Sequence, residues 1–210
     1  MPSVLPDYEY DIFISYRHND NRTGWVSRFV EALRQELATT IKEPVSVYFD
    51  SNPHDGLLEM HQVDKSLEKK LHCVIFIPIL SKTYCDPKSY AWNNELLPFL
   101  RFIREEQDGI AIQLENRNVA SRILPIQIHE IDQQDRQLFE SHVGIPLRSV
   151  EFIFKTPGVN RPLTPEDSRA ENITHTYYRD QVNKVANAID QIFKAIQSTR
   201  YEPAAEALPS

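Results

Sequence analysis

The segment CVIFIPIL, residues 73 to 80, is apolar at every position. A strand or helix with one wet face places polar residues at every second or every third to fourth position, so an unbroken apolar run marks an element covered on both sides. The run is too short to cross a bilayer as a helix. A short, doubly covered strand belongs in the middle of a parallel sheet, with helices packed on each face. The rest of the chain must supply those helices and the neighbouring strands.

It does so in alternation. YEYDIFISY reads as a buried strand ending near Tyr16, followed by the polar turn RHNDNRTG. Trp25, Val26, Phe29, Val30, Leu33 and Leu37 recur at helical spacing and predict an amphipathic helix from about Gly24 to Ala38. VSVYF (45 to 49) predicts a second strand, and the turn-rich DSNPHDG an exposed loop after it. Val63, Ser66, Leu67, Lys70 and Leu71 predict a short helix before the central strand. After it, SKTYCDPKSY is a loop, and Trp92, Leu96, Phe99, Leu100 and Ile103 mark another helix face. RILPIQI (122 to 128) and SVEFIF (149 to 154) are two further strands; Val182, Val185, Ala186, Ile189, Phe193 and Ile196 form a closing helix.

Five strand-helix alternations imply an α/β fold with a doubly wound, five-stranded parallel sheet and helices on both faces. A chain of 210 residues carries one such core, expected over residues 1–198, with 199–210 a tail or the start of a linker. Two stretches resist the pattern. Within 105 to 148 lie a polar insertion and a piece, Asp132 to His142, that is either a short helix or a loop; the proline-punctuated 155 to 175 is expected to be irregular.

Several functions are excluded at this level. A net charge of −7 does not suit phosphate neutralisation, so nucleic acid is not an expected partner. With no long apolar segment and no basic-then-apolar start, neither a membrane span nor a signal peptide is expected, which places the chain in the cytoplasm. Cys73 and Cys85 have no CxxC or CxxH spacing and are read as free thiols; the seven histidines form no HxH or HxxxH pair, so no metal is expected. Only five glycines are present, in neither a GxGxxG nor a Walker arrangement, and there is no GxSxG elbow.

Open α/β sheets bind ligands beyond the C-terminal ends of their strands, which directs attention to Ser15–Asp20, Asp50–His61, Ser81–Tyr90 and the helix carrying Glu95. At about 100° per residue, Glu95 falls roughly 80° off the centre of its helix's apolar stripe, where a carboxylate is partly desolvated yet reachable. Pro98 has no N–H for the Asn94 carbonyl and should bend the helix beside it. On this reading alone, an ordinary surface helix residue is the better account of Glu95.

In sequence order, YDIFISYRHND, the FDSNPHDG loop, SLEKKLHCVIFIPILSKTY and SYAWNNEL resemble the signature boxes of TIR (Toll/interleukin-1 receptor) domains of the bacterial type, over roughly residues 8 to 154. The resemblance implies a flavodoxin-like fold that cleaves the nicotinamide–ribose bond of NAD⁺ as substrate, without a cofactor. It implies Glu95 as the catalytic glutamate, with Ser15, Tyr16, Arg17, Asp50 and Trp92 in the substrate site. Arg17 would meet the substrate phosphates, the plainer alternative being a surface arginine paired with Asp20 or Asp50; Tyr16 and Trp92 would stack on a ring of the ligand, the plainer alternative being core packing. Trp92 stands three residues before Glu95 where many enzymatic members have four, and Pro53 and Gly56 are separated where the family often has them adjacent. Self-association through the 50 to 62 loop, a sensor domain or sensor protein as partner, and a role in antiphage signalling are implied in the same way. Two rivals stand beside the NAD⁺-cleaving reading: a non-catalytic TIR–TIR interaction module, and a nucleoside deoxyribosyltransferase-like enzyme, which also uses a glutamate on this kind of fold.

Overall fold

The computed structural model describes residues 3–50, 65–106, 108–114 and 116–201. CVIFIPIL is the strand β3 (Cys73–Leu80), buried at every position. It pairs in parallel with β1 (Tyr10–Ser15), which pairs with β2 (Val47–Phe49). A short stretch, β6 (Ile126–Gln127), and then β7 (Val150–Glu151) continue the other side, giving a five-stranded parallel sheet in the order β2-β1-β3-β6-β7.

Helices cover both faces, as the doubly apolar central strand demands. Ile12 and Ile14 of β1 point into a core shared with α1 (Trp25–Thr40) and α5 (Tyr178–Tyr201). Phe13, between them, points into a second core with α2 (Lys65–Leu71), α3 (Leu97–Glu105) and α4 (Gln133–Val143). The period-two alternation of one strand therefore feeds two cores. Among the described residues no helix is long and apolar enough to cross a membrane.

The differences from expectation lie in the second half. RILPIQI is not one strand: Pro125 interrupts the ladder, leaving β6 plus an isolated parallel bridge between Phe76 and Ile123. SVEFIF divides at Phe152: β7 stays in the sheet, whereas β8 (Ile153–Thr156) leaves it to pair with β9 (Val159–Pro162). The start of the 155 to 175 stretch is thus a hairpin rather than irregular chain, closed by Pro157 and Gly158, the latter at φ +78°, a conformation glycine adopts without strain. The polar insertion holds a second hairpin, β4 (Ala111–Gln113) with β5 (Val119–Ser121). Asp132 to His142 resolves as α4, capped by the Asp132 side chain accepting from the Asp135 N–H. The first strand stops at Ser15, leaving Tyr16 just beyond it, and the closing helix extends to Tyr201, past residue 198.

Candidate active site

Because all five strands of the sheet are parallel, β1, β2 and β3 deliver Ser15, Asp50 and the Ser81–Tyr90 loop to the same edge. Ser15 lies two residues after Phe13 and so shares its face, under the segment that carries Glu95. That segment is not an ordinary α-helix. Ala91–Leu96 is wound as a π-helix, with the Leu97 N–H reaching back to the Trp92 carbonyl, and Pro98 enters α3 directly after it. A proline N–H is missing where the Asn94 carbonyl would need one, and the expected bend takes the form of this widened turn.

Glu95 is half-buried, with its carboxylate turned inward onto the end of β1. Ser15 Oγ donates to Glu95 Oε2 at 2.6 Å, and the Tyr84 hydroxyl lies 2.8 Å from Ser15 Oγ. Burial pushes the Glu95 carboxyl up to about 8, against the Ser15 hydrogen bond and with help from the nearby Asp50 charge. The folded state therefore holds a proton that the unfolded chain releases near its ordinary value of 4.5. Stability from this group is fully present below pH 4.5 and lost as pH rises through about 8. Glu95→Gln, which keeps an acceptor for Ser15, is thus expected to leave the urea midpoint unchanged at pH 4 and raise stability at pH 9 by a few kcal/mol. Equal stability of the two chains at pH 9 would contradict a carboxylate turned inward.

The remaining expected residues fall differently. Arg17 sends its guanidinium to the Thr83 carbonyl (2.9 Å) and to Asp86 (3.9 Å), so neither Asp20 nor Asp50 is its ion-pair partner. Asp20 accepts instead from Ser81 Oγ at 2.6 Å. Tyr16 is 6 % exposed, stacks on Phe49 and donates to the Asp50 carbonyl oxygen. Trp92 is 1 % exposed, with Tyr84, Phe139 and His142 packed edge-on around it. Both rings are buried against the core, the plainer of their two expected placements, as burial of so large an apolar surface favours. The site residue missed from sequence is Tyr84. It sits in an irregular loop where no periodicity reports burial, although it belongs to the SKTY box. His54, His61 and the 51 to 62 portion of the expected assembly loop lie outside the described residues. Among those described, no group of His, Cys, Asp and Glu is placed to hold a metal ion, and both cysteines are free and buried.

No protein-family model matches the sequence, and no curated protein matches it. Among solved structures, the chain is similar to the TIR domains in the structure of the activated Roq1 resistosome directly recognizing the pathogen effector XopQ, at 17% identity and a TM-score of 0.38, covering 89% of this chain and 99% of that one.

Proposed function

We propose that this chain is a TIR-type domain that cleaves the nicotinamide–ribose bond of NAD⁺, with Glu95 as its catalytic residue. One observation carries the reading: a carboxylate held inward by Ser15 at the C-terminal edge of a parallel sheet, in the place the sequence boxes assign to the glutamate. Nicotinamide leaves the pyridinium of NAD⁺ as a neutral base, taking the bonding pair of the glycosidic bond, so no general acid is required. The ribosyl cation left behind is stabilised by an ionised carboxylate beside it. Water then attacks the cation, giving ADP-ribose and a proton; a nucleophile of the same molecule would give a cyclic product. Of the other residues, Asp50 lies near enough to Glu95 to act on its charge, and Arg17 stands at the adjoining strand end with a guanidinium fork suited to phosphate. The domain acts inside the cell and works by self-association, with a sensor domain or sensor protein upstream in immune signalling.

The inward-turned carboxyl sets a pH dependence. With its midpoint near 8, roughly one free molecule in ten carries the charge at pH 7. The cationic nicotinamide ring, bound alongside, favours the ionised form. Nicotinamide release across pH 6 to 9 is therefore expected to show kcat/KM rising about tenfold per pH unit before levelling near pH 8, with the kcat limb displaced to lower pH. The assay is run over a range of protein concentrations, because self-association should raise activity more than in proportion. No NAD⁺ loss at any pH or concentration would reject the proposal, and base exchange on nucleosides in its place would identify a deoxyribosyltransferase-like enzyme.

A further inference from the structure

We propose that Tyr84 is a positioning residue for Glu95, acting through Ser15 in a three-membered hydrogen-bond chain that favours the ionised form of the carboxyl group. The proposal deepens the catalytic reading of Glu95 and rests on it for its functional meaning, while its physical content concerns the proton on Glu95 alone.

An ionised carboxylate only accepts, and a serine hydroxyl has one proton to give. When Glu95 is charged, Ser15 must donate to Oε2 (2.6 Å), and the contact between Ser15 Oγ and the Tyr84 hydroxyl (2.8 Å) is then filled by the tyrosine proton. Every hydrogen in the chain has an acceptor. When Glu95 is neutral, the three groups carry three hydrogens for two contacts, and in the arrangement where Glu95 donates to Ser15 and Ser15 to Tyr84 the phenolic hydrogen is the one left over. Tyr84 is 0 % exposed, so no water takes it, and among the described residues its hydroxyl's hydrogen bond goes to Ser15. A buried donor without an acceptor is costly. That cost falls on the neutral form of Glu95 only. Burial also holds the Tyr84 phenol well above its usual range, so it keeps its proton throughout and acts by orienting.

The position of Tyr84 is fixed by its surroundings. Its ring meets Trp92 edge-on at 6.5 Å, and its backbone N–H closes a turn onto the Ser81 carbonyl. The same wall that buries Trp92 thus aims the tyrosine hydroxyl at the end of β1. Among the described residues, the other titratable groups at this edge are Asp50, whose charge acts on Glu95; Cys85, which acts on Tyr84; Tyr48, with Lys70 over its ring and Tyr10 and Tyr90 adjoining it; and, at the neighbouring loop, Asp20 on Ser81 and Arg17 beside Asp86. The variants below leave all of these groups in place.

The test titrates the Glu95 side-chain carboxyl carbon by NMR in selectively labelled full-length protein, the resonance being assigned by its absence in Glu95→Gln. Tyr84→Phe, which preserves the ring, is expected to raise the midpoint by about half a pH unit or more. Ser15→Ala is expected to raise it further, by about one unit. The double variant should match Ser15→Ala, because Tyr84 has no route to Glu95 without Ser15. An unmoved or lowered midpoint in Tyr84→Phe, or a Tyr84→Phe shift that persists in full in the Ser15→Ala background, overturns the proposal. Should Tyr84→Phe fail to fold, the Tyr84 ring carbon bearing the hydroxyl is followed in the native protein: its shift must titrate with Glu95 and stop doing so in Glu95→Gln. Because none of these readouts involves NAD⁺, absence of cleavage would reject the enzymatic reading and leave this one to stand or fall on its own.

Discussion

A Glu95→Gln chain is expected to release nicotinamide from NAD⁺ about 10²- to 10³-fold more slowly than the native chain when both are assayed at pH 9. The amide fills the same volume and still accepts from Ser15, so the π-turn and the strand end keep their geometry. What is lost is the charge facing the ribosyl cation, and in a half-buried site that charge is worth several times its value in water. The alkaline condition matters: at pH 6 most native molecules carry a neutral Glu95, so the gap between the two chains narrows. A ratio within threefold at pH 9 would remove Glu95 from the mechanism. Because the same substitution is expected to stabilise the fold at high pH, lost activity with a raised urea midpoint cannot be mistaken for unfolding.

The second large effect is expected at the opposite end of the sheet. Arg122 is 0 % exposed, donates from Nε to the Val74 carbonyl (2.7 Å) and from Nη2 to the Cys73 carbonyl (3.2 Å), and pairs through Nη1 with Glu106 (2.7 Å). These contacts complete the edge of β3 where β6 is too short to reach. Glu106 also accepts from the Tyr8 hydroxyl and meets Arg200, which itself pairs with Asp108, so one carboxylate ties the chain before β1 to the ends of α3 and α5. Burial works to raise the Glu106 carboxyl, but the hydrogen bonds from Tyr8 and Arg122 and the two arginine charges outweigh it and hold it below the usual range. Its contribution is therefore present above the unfolded value near 4.5 and lost as pH falls through the lower folded one. Arg122→Ala strands two strand carbonyls and removes the most buried partner of Glu106, and is expected to cost ~3–5 kcal/mol in urea unfolding at pH 7. That is a large part of a domain's stability. A loss below ~1 kcal/mol would mean the carbonyls and Glu106 find other partners.

The first half of the chain was legible because its signals are local. An eight-residue apolar run, a strand alternating into two cores and a clean helical stripe each identify themselves within one element, and the burial of Phe13 on one side and Ile12 and Ile14 on the other follows from period two alone. The second half was less legible because its boundaries are set by partners. Phe152 ends a continuous β-forming segment only because the chain beyond it finds β9 rather than β7's neighbour, and Pro125 shortens β6 in a strand that looks sound by composition. The bend at Pro98 follows from a missing N–H four residues on from Asn94, a local fact; that it takes the form of a π-turn, with Trp92 and Leu96 buried on it, appears only in the folded chain.

At the site the division is similar. The sequence boxes singled out Glu95 and Ser15 separately, and strand-end geometry brought both to one edge. Their hydrogen bond joins residues 80 apart, and the contact of Ser15 with Tyr84 joins residues 69 apart. Neither separation leaves a periodic trace. The proton state of Glu95 lay further out of reach, since the same carboxyl is ordinary in an exposed helix and near 8 when turned inward. Tyr16 and Trp92 make the same point from the other side: an aromatic beside a strand end is chemically fit to stack on a ligand or on the core, and its depth of burial comes only from the neighbours that fold around it, Phe49 for one and Tyr84, Phe139 and His142 for the other. Local pattern specifies which face of each element is buried, because that depends on residues a few positions apart; desolvation and hydrogen-bond pairing depend on atoms brought together from distant elements, and those exist only once the chain has folded.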